Sequence, residues 1–252
     1  MEVHAHSHLA SGETHTARKK WTHYFWEFLM LFLAVFCGFL AEYQLEHKIE
    51  KDREKQYIES LLEDLHEDTV ILTETIDEYE GHLKRNDSLI KLLTGTDIKD
   101  RGADLYFLGR RASRSVRLAL HDLTIQQMKS SGGFRLIRKQ NVSKAIIEYY
   151  NRLVFIDYLQ GIETAETDEY RKMAVDIFHP VIFNNMAEPD NTILRPAGNP
   201  ALLTYDPKNL LRLAGMVSYI TNTKLGLSIA EIKMREAAKD LILLIKNEYK
   251  LK

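Results

Sequence analysis

The sequence predicts an all-α protein, in which one N-terminal transmembrane helix continues into a long heptad-patterned helix and a helical bundle follows. Three observations lead to this prediction: an uncharged apolar segment near the N-terminus, a heptad pattern after it, and few helix breakers. The 252 residues include only 12 glycines and 5 prolines, which leaves room for long helices. No window alternates convincingly between apolar and polar residues with a period of two, so almost no strand is expected.

The composition supports a folded core without a strongly charged partner. Hydrophobic residues make up 45% of the chain and charged residues 28%, with 34 Lys and Arg against 36 Asp and Glu. This balance leaves no excess of positive charge that would attract nucleic acid, and we expect no nucleic-acid partner. Cys37 is the single cysteine, so no disulfide can form within the chain.

The pattern along the chain divides it into four parts. These are a disordered His-rich tail (1–20), a transmembrane helix (21–43), a charged neck with a coiled-coil-like helix (44–95) and a helical domain (96–252). The tail includes the run HAHSH at 4–8, whose imidazoles could converge on a metal ion. Because no carboxylate or thiol pattern completes a site, we interpret the run as part of a flexible tail and predict no metal.

The transmembrane prediction depends on residues Phe28 to Ala41, which carry no charge. As a helix, this segment covers about 21 Å, short of the roughly 30 Å hydrocarbon core. Aromatic residues that favour the headgroup level lie at both flanks, and the helix from Trp21 to Tyr43 would cover about 34 Å. That length is sufficient to span a bilayer.

Two kinds of cleaved signal are the alternatives to an anchor. A signal peptide needs a small-x-small cleavage site, but Ala41 leads directly into Glu42 and Tyr43. A lipoprotein signal would use Cys37, but the preceding Phe36 is larger than the small residue usual there. We therefore expect an uncleaved anchor.

The orientation follows from basic residues at the ends of the span. Three Lys and Arg residues precede the span closely and four follow within twenty residues, so the counts are nearly balanced. The compact cluster at Arg18, Lys19 and Lys20 favours a cytoplasmic N-terminus. The expected location is the inner (cytoplasmic) membrane, crossed once, with the C-terminal domain in the periplasm.

Three residues of the span form a candidate intramembrane contact. A carboxylate at membrane depth, such as Glu27, marks partner contacts or ion paths, although near the end of a span it can also reach the headgroups. The spacing of Ala34 and Gly38 permits close approach of another helix. In a single-span protein, that helix must come from another chain.

Two apolar seams follow the neck with the three- and four-residue spacing of helix packing. Such a stripe either packs on later helices of the same chain or pairs with a second copy in a coiled coil, and both alternatives stay open. The pattern ends at Gly95, a residue type common after helix ends. The seams comprise Ile58, Leu65, Leu72, Tyr79 and Leu93, then Leu62, Ile76, Leu83 and Ile90, with Asn86 and Thr69 as polar interruptions.

The rest of the chain predicts further helices around one irregular segment. Asp206 is a typical N-cap, and Pro207 suits the first helical position. Residues 181–207 hold four of the five prolines and form the longest irregular segment. We predict helices over 104–112, 118–130, from about 141 towards 178, 207–221 and 223–249.

No motif of catalysis stands out. The sequence lacks HExxH, CxxC and G-x-S-x-G, so we predict no enzyme, no catalytic residue and no cofactor. Gly132 and Gly133, followed by Arg135 and Arg138, could bind an anion, but we interpret them as a turn between two helices.

Histidines and acids on the predicted helices receive a similarly simple interpretation. His66 and His121 lie beside acids, as in ordinary surface hydrogen bonds. The pairs at 63–64 and 67–68 are most simply part of a solvated helix face.

Two stretches together resemble a known family. REKQYIESLLEDLHEDT (53–69) directly follows the span, and LTIQQMKSSGGFRLIRKQNVSKAIIEYY (123–150) comes later. Their order resembles a family of single-pass membrane proteins of unknown function from Bacteroidota, over most of residues 21–160. The His-rich tail and the second of the paired glycines depart from the family's pattern. The matching pieces are Glu27, Tyr57 to Leu65, Ser131 to Ile137 and Ile147 to Tyr150.

The resemblance implies a cell-envelope protein without a known activity. We expect a membrane-anchored, non-catalytic interaction or scaffold module. The alternative is an accessory subunit of a larger membrane complex, with Glu27 as an intramembrane contact or proton-linked group. An enzyme with a site in 181–207 is a third hypothesis, for which no catalytic pairing is visible. The expected partners are the membrane and an unknown protein, together with a second copy if the heptad helix pairs between chains.

Overall fold

The computed structural model describes residues 17–251, and the side chains from residue 21 onward. The His-rich run at 4–8 lies outside these residues. Within the described range, the single β-pairing is an isolated bridge between Ala187 and Ile193, and the all-α prediction is confirmed. The helices are α1 (Ala17–Leu93), α2 (Gly102–Ala112), α3 (Leu123–Ser130), α4 (Gln140–Ala174), α5 (Pro180–Asn185) and α6 (Pro207–Tyr249), with 3-10 turns at Ile98–Asp100 and Gly133–Leu136.

Helix α1 contains both the apolar segment and the heptads. The chain divides after Arg53 into two compact units. In the first unit, every residue from 21 to 49 is exposed except the half-buried Leu29. The most apolar 18-residue window of α1 has a mean hydropathy of 2.0, and none of it is buried. By length and composition, this segment is able to cross a membrane.

The second unit begins at Glu54 and contains three long helical stretches: the rest of α1, α4 and α6. As predicted, Asp206 caps α6, because its Oδ2 accepts a hydrogen bond from the Asn209 amide at 3.2 Å, and Pro207 follows it. The predicted break near residue 222 is wrong, since α6 continues to Tyr249. No proline lies there, and Thr221 bonds back to the Val217 carbonyl within the helix.

The heptad seam packs within the chain. All members of the first seam are buried, and in the second seam Leu62 and Ile76 are buried while the others are half-buried. Asp68, His82 and Leu89 on a neighbouring stripe are buried as well. This stripe is wider than a coiled-coil seam because α1 contributes to two core clusters shared with α4 and α6 of the same chain. Pairing with a second copy through the heptad helix stays a prediction.

The core of the second unit has two apolar clusters. One contains Ile58 to Tyr79 of α1 with Val142 to Ile156 of α4 and Leu227 to Ile245 of α6. The other contains the end of α1 with the C-terminal turns of α4 and the first turns of α6. Polar side chains are buried between these two stretches of each helix, and they include His82, Asn86, Glu163, Thr167 and Lys224.

Residues 113–122 form an extended connection between α2 and α3, so the predicted helix from Leu118 is wrong over its first turn. Three carbonyls of this connection accept hydrogen bonds from side chains. Arg171 Nη2 donates to Ser113 O at 2.8 Å, Lys224 Nζ to Arg114 O at 3.2 Å, and Tyr79 Oη to Val116 O at 3.2 Å. These bonds satisfy carbonyl groups that accept no hydrogen bond from a helix or a neighbouring strand.

Residues 186–206 are irregular, as predicted, but the prediction is wrong for residues 181–185, which belong to the short helix α5. His179 caps α5 by accepting a hydrogen bond from the Val181 amide, and Pro180 takes the first position. The bridge between Ala187 and Ile193 closes a small turn.

Candidate functional site

The candidate intramembrane residues lie in the first unit and are exposed. Glu27 Oε1 is 3.1 Å from His23 Nε2, with exposed side-chain fractions of 60% and 72%. Ala34 and Gly38 are exposed, and a Cβ added at Gly38 would meet nothing within 4 Å. The small-residue face is therefore accessible to a neighbouring helix.

The glycine pair serves as a turn that packs on α1. Gly132 has a φ of 69°, in the left-handed region that favours glycine. A Cβ at Gly133 would lie 2.8 Å from Tyr57 Cε2, so glycine permits the close approach. Arg138 donates its amide hydrogen to Glu54 Oε1 at 2.8 Å. The Arg138 guanidinium lies beside Glu54, with Nε 3.9 Å from Oε2, and Arg135 is exposed.

The prediction of a solvated acidic face is wrong for Asp68, which is fully buried. Its Oδ1 accepts from the His121 amide at 2.8 Å and its Oδ2 from Tyr149 Oη at 2.9 Å. Burial raises the pKa of Asp68, against the opposing effect of these hydrogen bonds. His121 lies outside the helices, with Nε2 3.1 Å from Glu67 Oε2. Asp68 thus joins α1 to α4 and to the 113–122 connection.

Two carboxylates and one ammonium group are buried at the centre of the second unit. Lys224 Nζ forms an ion pair with Glu163 Oε1, 5.9 Å from the centroid of the Tyr79 ring. Glu231 Oε2 accepts from Thr75 Oγ1 at 2.7 Å, while its Oε1 has no hydrogen-bond partner. Burial, supplemented by the charge of Glu163, raises the pKa of Glu231 to about 7.

A cluster of four arginines lies near the end of α2. Its members are Arg85 of α1, Arg110 and Arg111 of α2, and Arg114 of the connection that follows. Among the described residues, no carboxylate lies within 4 Å of the guanidinium groups of Arg85, Arg110, Arg111 or Arg114. Burial lowers the pKa of Arg85, and the charge of Arg111 lowers it further. The pKa of Arg110 is lowered in the same way by burial and then by Arg114. These cations therefore repel one another.

A cavity of about 190 Å³ lies in this cluster. His82 lines it and is only 2% exposed, and its Nδ1 has no hydrogen-bond partner. Burial, and then the charges of Lys224, Arg85 and Arg111, lower the pKa of His82 to about 3. The imidazole is therefore neutral at pH 7. The lining residues are Glu78, His82, Arg111, Arg114, Ser115, Asn191 and Ile193.

A second cavity, of about 370 Å³, is lined by Arg110 of the cluster. Arg110 lies over the Phe183 ring, 5.5 Å from its centroid. Arg171 also lines this cavity, but its guanidinium is paired with Asp168 at 2.8 Å. Phe178 and Phe183 stack on its apolar wall.

The sequence interpretation missed the arginine cluster, although a signal was present. Residues 110–117 (RRASRSVR) contain four arginines in eight positions without an acid. Such a run is usually solvated, and only the structure shows that Arg111 and Arg114 face a cavity together with the distant His82. No group of three metal-ligating side chains forms in the part of the chain that the structure describes.

No known protein family, curated protein or solved structure matches this chain. The resemblance to a Bacteroidota family therefore stays a prediction.

Proposed function

We propose that the protein is a non-catalytic interaction or scaffold module that one N-terminal helix anchors in a membrane. The observation that best supports this proposal is the apolar surface of α1 in the first unit, which no other part of the described chain covers. Transfer of such a surface from water into lipid is favourable by roughly 25 cal/mol per Å². Left in water, an apolar surface of this extent would drive aggregation.

The buried polar groups of the second unit support a binding role. The Lys224–Glu163 pair, Asp68 and Asn86 connect helices to one another or to the 113–122 connection. Groups committed to such contacts fix how the helices pack, and they are not accessible to a substrate. The surface is then available for a partner.

The location that we propose is the inner (cytoplasmic) membrane, with the second unit in the periplasm. Its support is the compact basic cluster at 18–20, which favours a cytoplasmic N-terminus. The resemblance to envelope proteins agrees with this placement.

The alternative function, an accessory subunit of a larger membrane complex, has its own supporting observation. Glu27, Ala34 and Gly38 lie within about 40° of one face of α1, at 100° per residue. All three are exposed within this chain, and small residues beside a carboxylate suit close contact with another membrane helix.

Photocrosslinking in native membranes separates these two functions. A photoreactive residue at Ala34 tests the small-residue face, and one at Phe36, about 200° around the helix, is its matched control. A third at Tyr158, an exposed position of α4, tests the second unit. Discrete adducts from Tyr158 alone support the scaffold proposal, and adducts from Ala34 but not Phe36 support the accessory subunit. No protein adduct at any of these positions would contradict both.

A further inference from the structure

We propose that the cavity lined by His82, Arg111 and Arg114 binds a phosphate-type oxyanion, free or at the end of a larger molecule. The inference goes beyond the anchoring and scaffold role and does not depend on it. It concerns the second unit alone.

The charges around the cavity favour a multiply charged anion. Arg111 and Arg114 line it, and Arg85 is close enough to be perturbed by Arg111. Glu78 is the one carboxylate in the lining, and its side chain is 56% exposed at 3.7 Å from His82 Nε2. The arginines thus outnumber the acid, while a phosphate ester carries about two negative charges at neutral pH.

One buried polar atom of the cavity lining lacks a partner. His82 Nδ1 is buried without a hydrogen bond, and an unmet buried polar atom destabilises a fold. In the tautomer that carries its proton on Nδ1, the neutral imidazole can donate to an oxyanion. The connection that carries Arg114 and Ser115 is fixed, because Lys224 and Tyr79 bind the carbonyls of Arg114 and Val116. The site therefore has little freedom to lose when a ligand binds.

The size of the cavity restricts the ligand. Its volume of about 190 Å³ is below the roughly 300–1,000 Å³ of sites that enclose organic molecules. The planar forks of Arg111 and Arg114 match the oxygens of a tetrahedral oxyanion, and Ser115 and Asn191 add neutral polar groups. A phosphate group fits these features, with any organic remainder outside.

The test measures binding to the full-length protein in micelles of an uncharged detergent. Calorimetric titration with inorganic phosphate, at constant ionic strength maintained with chloride, should show saturable binding. Arg111→Gln and Arg114→Gln should each weaken it about tenfold or more, since each removes a charge-assisted hydrogen bond. Arg117→Gln is the matched control, because Arg117 belongs to the same run but is exposed and outside the cavity lining; its affinity should stay within about twofold.

A second measurement uses the wild-type chain and does not depend on the variants folding. In nitrogen-15 spectra of histidine-labelled protein, phosphate should shift the ring signals of His82 and leave those of His66 unchanged. Phosphate should also raise the melting temperature, because a ligand that binds only the folded state stabilises it.

Further titrations distinguish the sources of the oxyanion. Glycerol 3-phosphate tests a soluble ester, and micelles doped with phosphatidic acid test a lipid headgroup. Tighter binding of either than of inorganic phosphate identifies that source. The proposal is overturned if none of the three binds saturably, if chloride competes equally at the same ionic strength, or if Arg117→Gln weakens binding as much as Arg111→Gln.

Discussion

Lys224 of α6 and Glu163 of α4 form an ion pair in which neither side chain is more than 2% exposed. The ammonium group also donates to the Arg114 carbonyl and lies over the Tyr79 ring. One buried cation therefore connects α4, α6, α1 and the connection after α2. Since the desolvation of two buried charges opposes their attraction, such a pair fixes a geometry more than it adds stability.

Lys224→Met should lower the free energy of unfolding by about 3–5 kcal/mol, because Glu163 is then buried without its cation. The double variant Lys224→Met/Glu163→Gln should recover a large part of this loss, since no uncompensated charge remains. Unfolding followed by circular dichroism in detergent micelles measures both. Equal stability of the Lys224→Met variant and the wild type would show that the pair is not buried.

Glu231→Gln should change how stability depends on pH. The pKa of Glu231 is raised to about 7. Its contribution to the free energy of unfolding is therefore complete below about pH 4.5 and is lost as pH rises through 7. The variant has no such loss. Between pH 5 and pH 8, its free energy of unfolding should rise by roughly 2–3 kcal/mol relative to that of the wild type. His82, whose depressed pKa destabilises the fold as pH falls below about 6.5, affects both proteins equally and cancels in the comparison. Parallel pH profiles for the two proteins would refute the prediction.

The elements of this fold that depend on apolar spacing could be predicted, and those that depend on buried polar groups could not. The positions of Leu72 and Tyr79 follow from heptad spacing, and the start of α6 follows from Asp206 with Pro207. Asp68 resembles any surface acid in sequence, because its partner Tyr149 lies 81 positions later. Sequence spacing alone left open whether the heptads pair within or between chains.

The same limit applies to the candidate site. Arg111 and Arg114 are recognisable as part of a basic run, but a run of arginines does not reveal a cavity. The cavity needs His82 from α1 and Asn191 from the irregular segment. No local pattern relates these residues to one another.

Leu72→Asp should destabilise the second unit by about 3 kcal/mol or more, because it places a carboxylate in a fully buried apolar position. Val70→Asp is the control, since Val70 is 57% exposed on the same helix; it should change stability by less than about 0.5 kcal/mol. Thermal unfolding followed by circular dichroism compares the two variants. If Leu72→Asp only separates copies while the helical signal and melting temperature persist, the seam pairs between chains.

The full-length protein should stay in the membrane pellet after high-salt and carbonate washing. Burial of the apolar part of α1 in lipid is hydrophobic, and salt does not screen it. A variant without residues 21–43 should appear in the soluble fraction and keep a strongly helical spectrum. Release of the full-length chain by carbonate would contradict the anchor.

A reporter fused after Lys252 should show activity typical of the periplasm. The prediction depends on the basic cluster at 18–20 outweighing the four later basic residues. Replacing Arg18, Lys19 and Lys20 by Gln should reverse or mix the orientation. A cytoplasmic signal from the unaltered fusion would refute the assigned topology.

The polar side chains between the two apolar clusters determine the axial register of the three long helices. Hydrophobic burial is non-directional, so apolar stripes alone would permit one helix to slide along another. A slide of one turn, about 5.4 Å, would remove Lys224 from Glu163 and place its charge among apolar side chains. The ion pair thus excludes misaligned packings that the heptads would accept, in the way that a single buried polar residue sets alignment in a coiled coil.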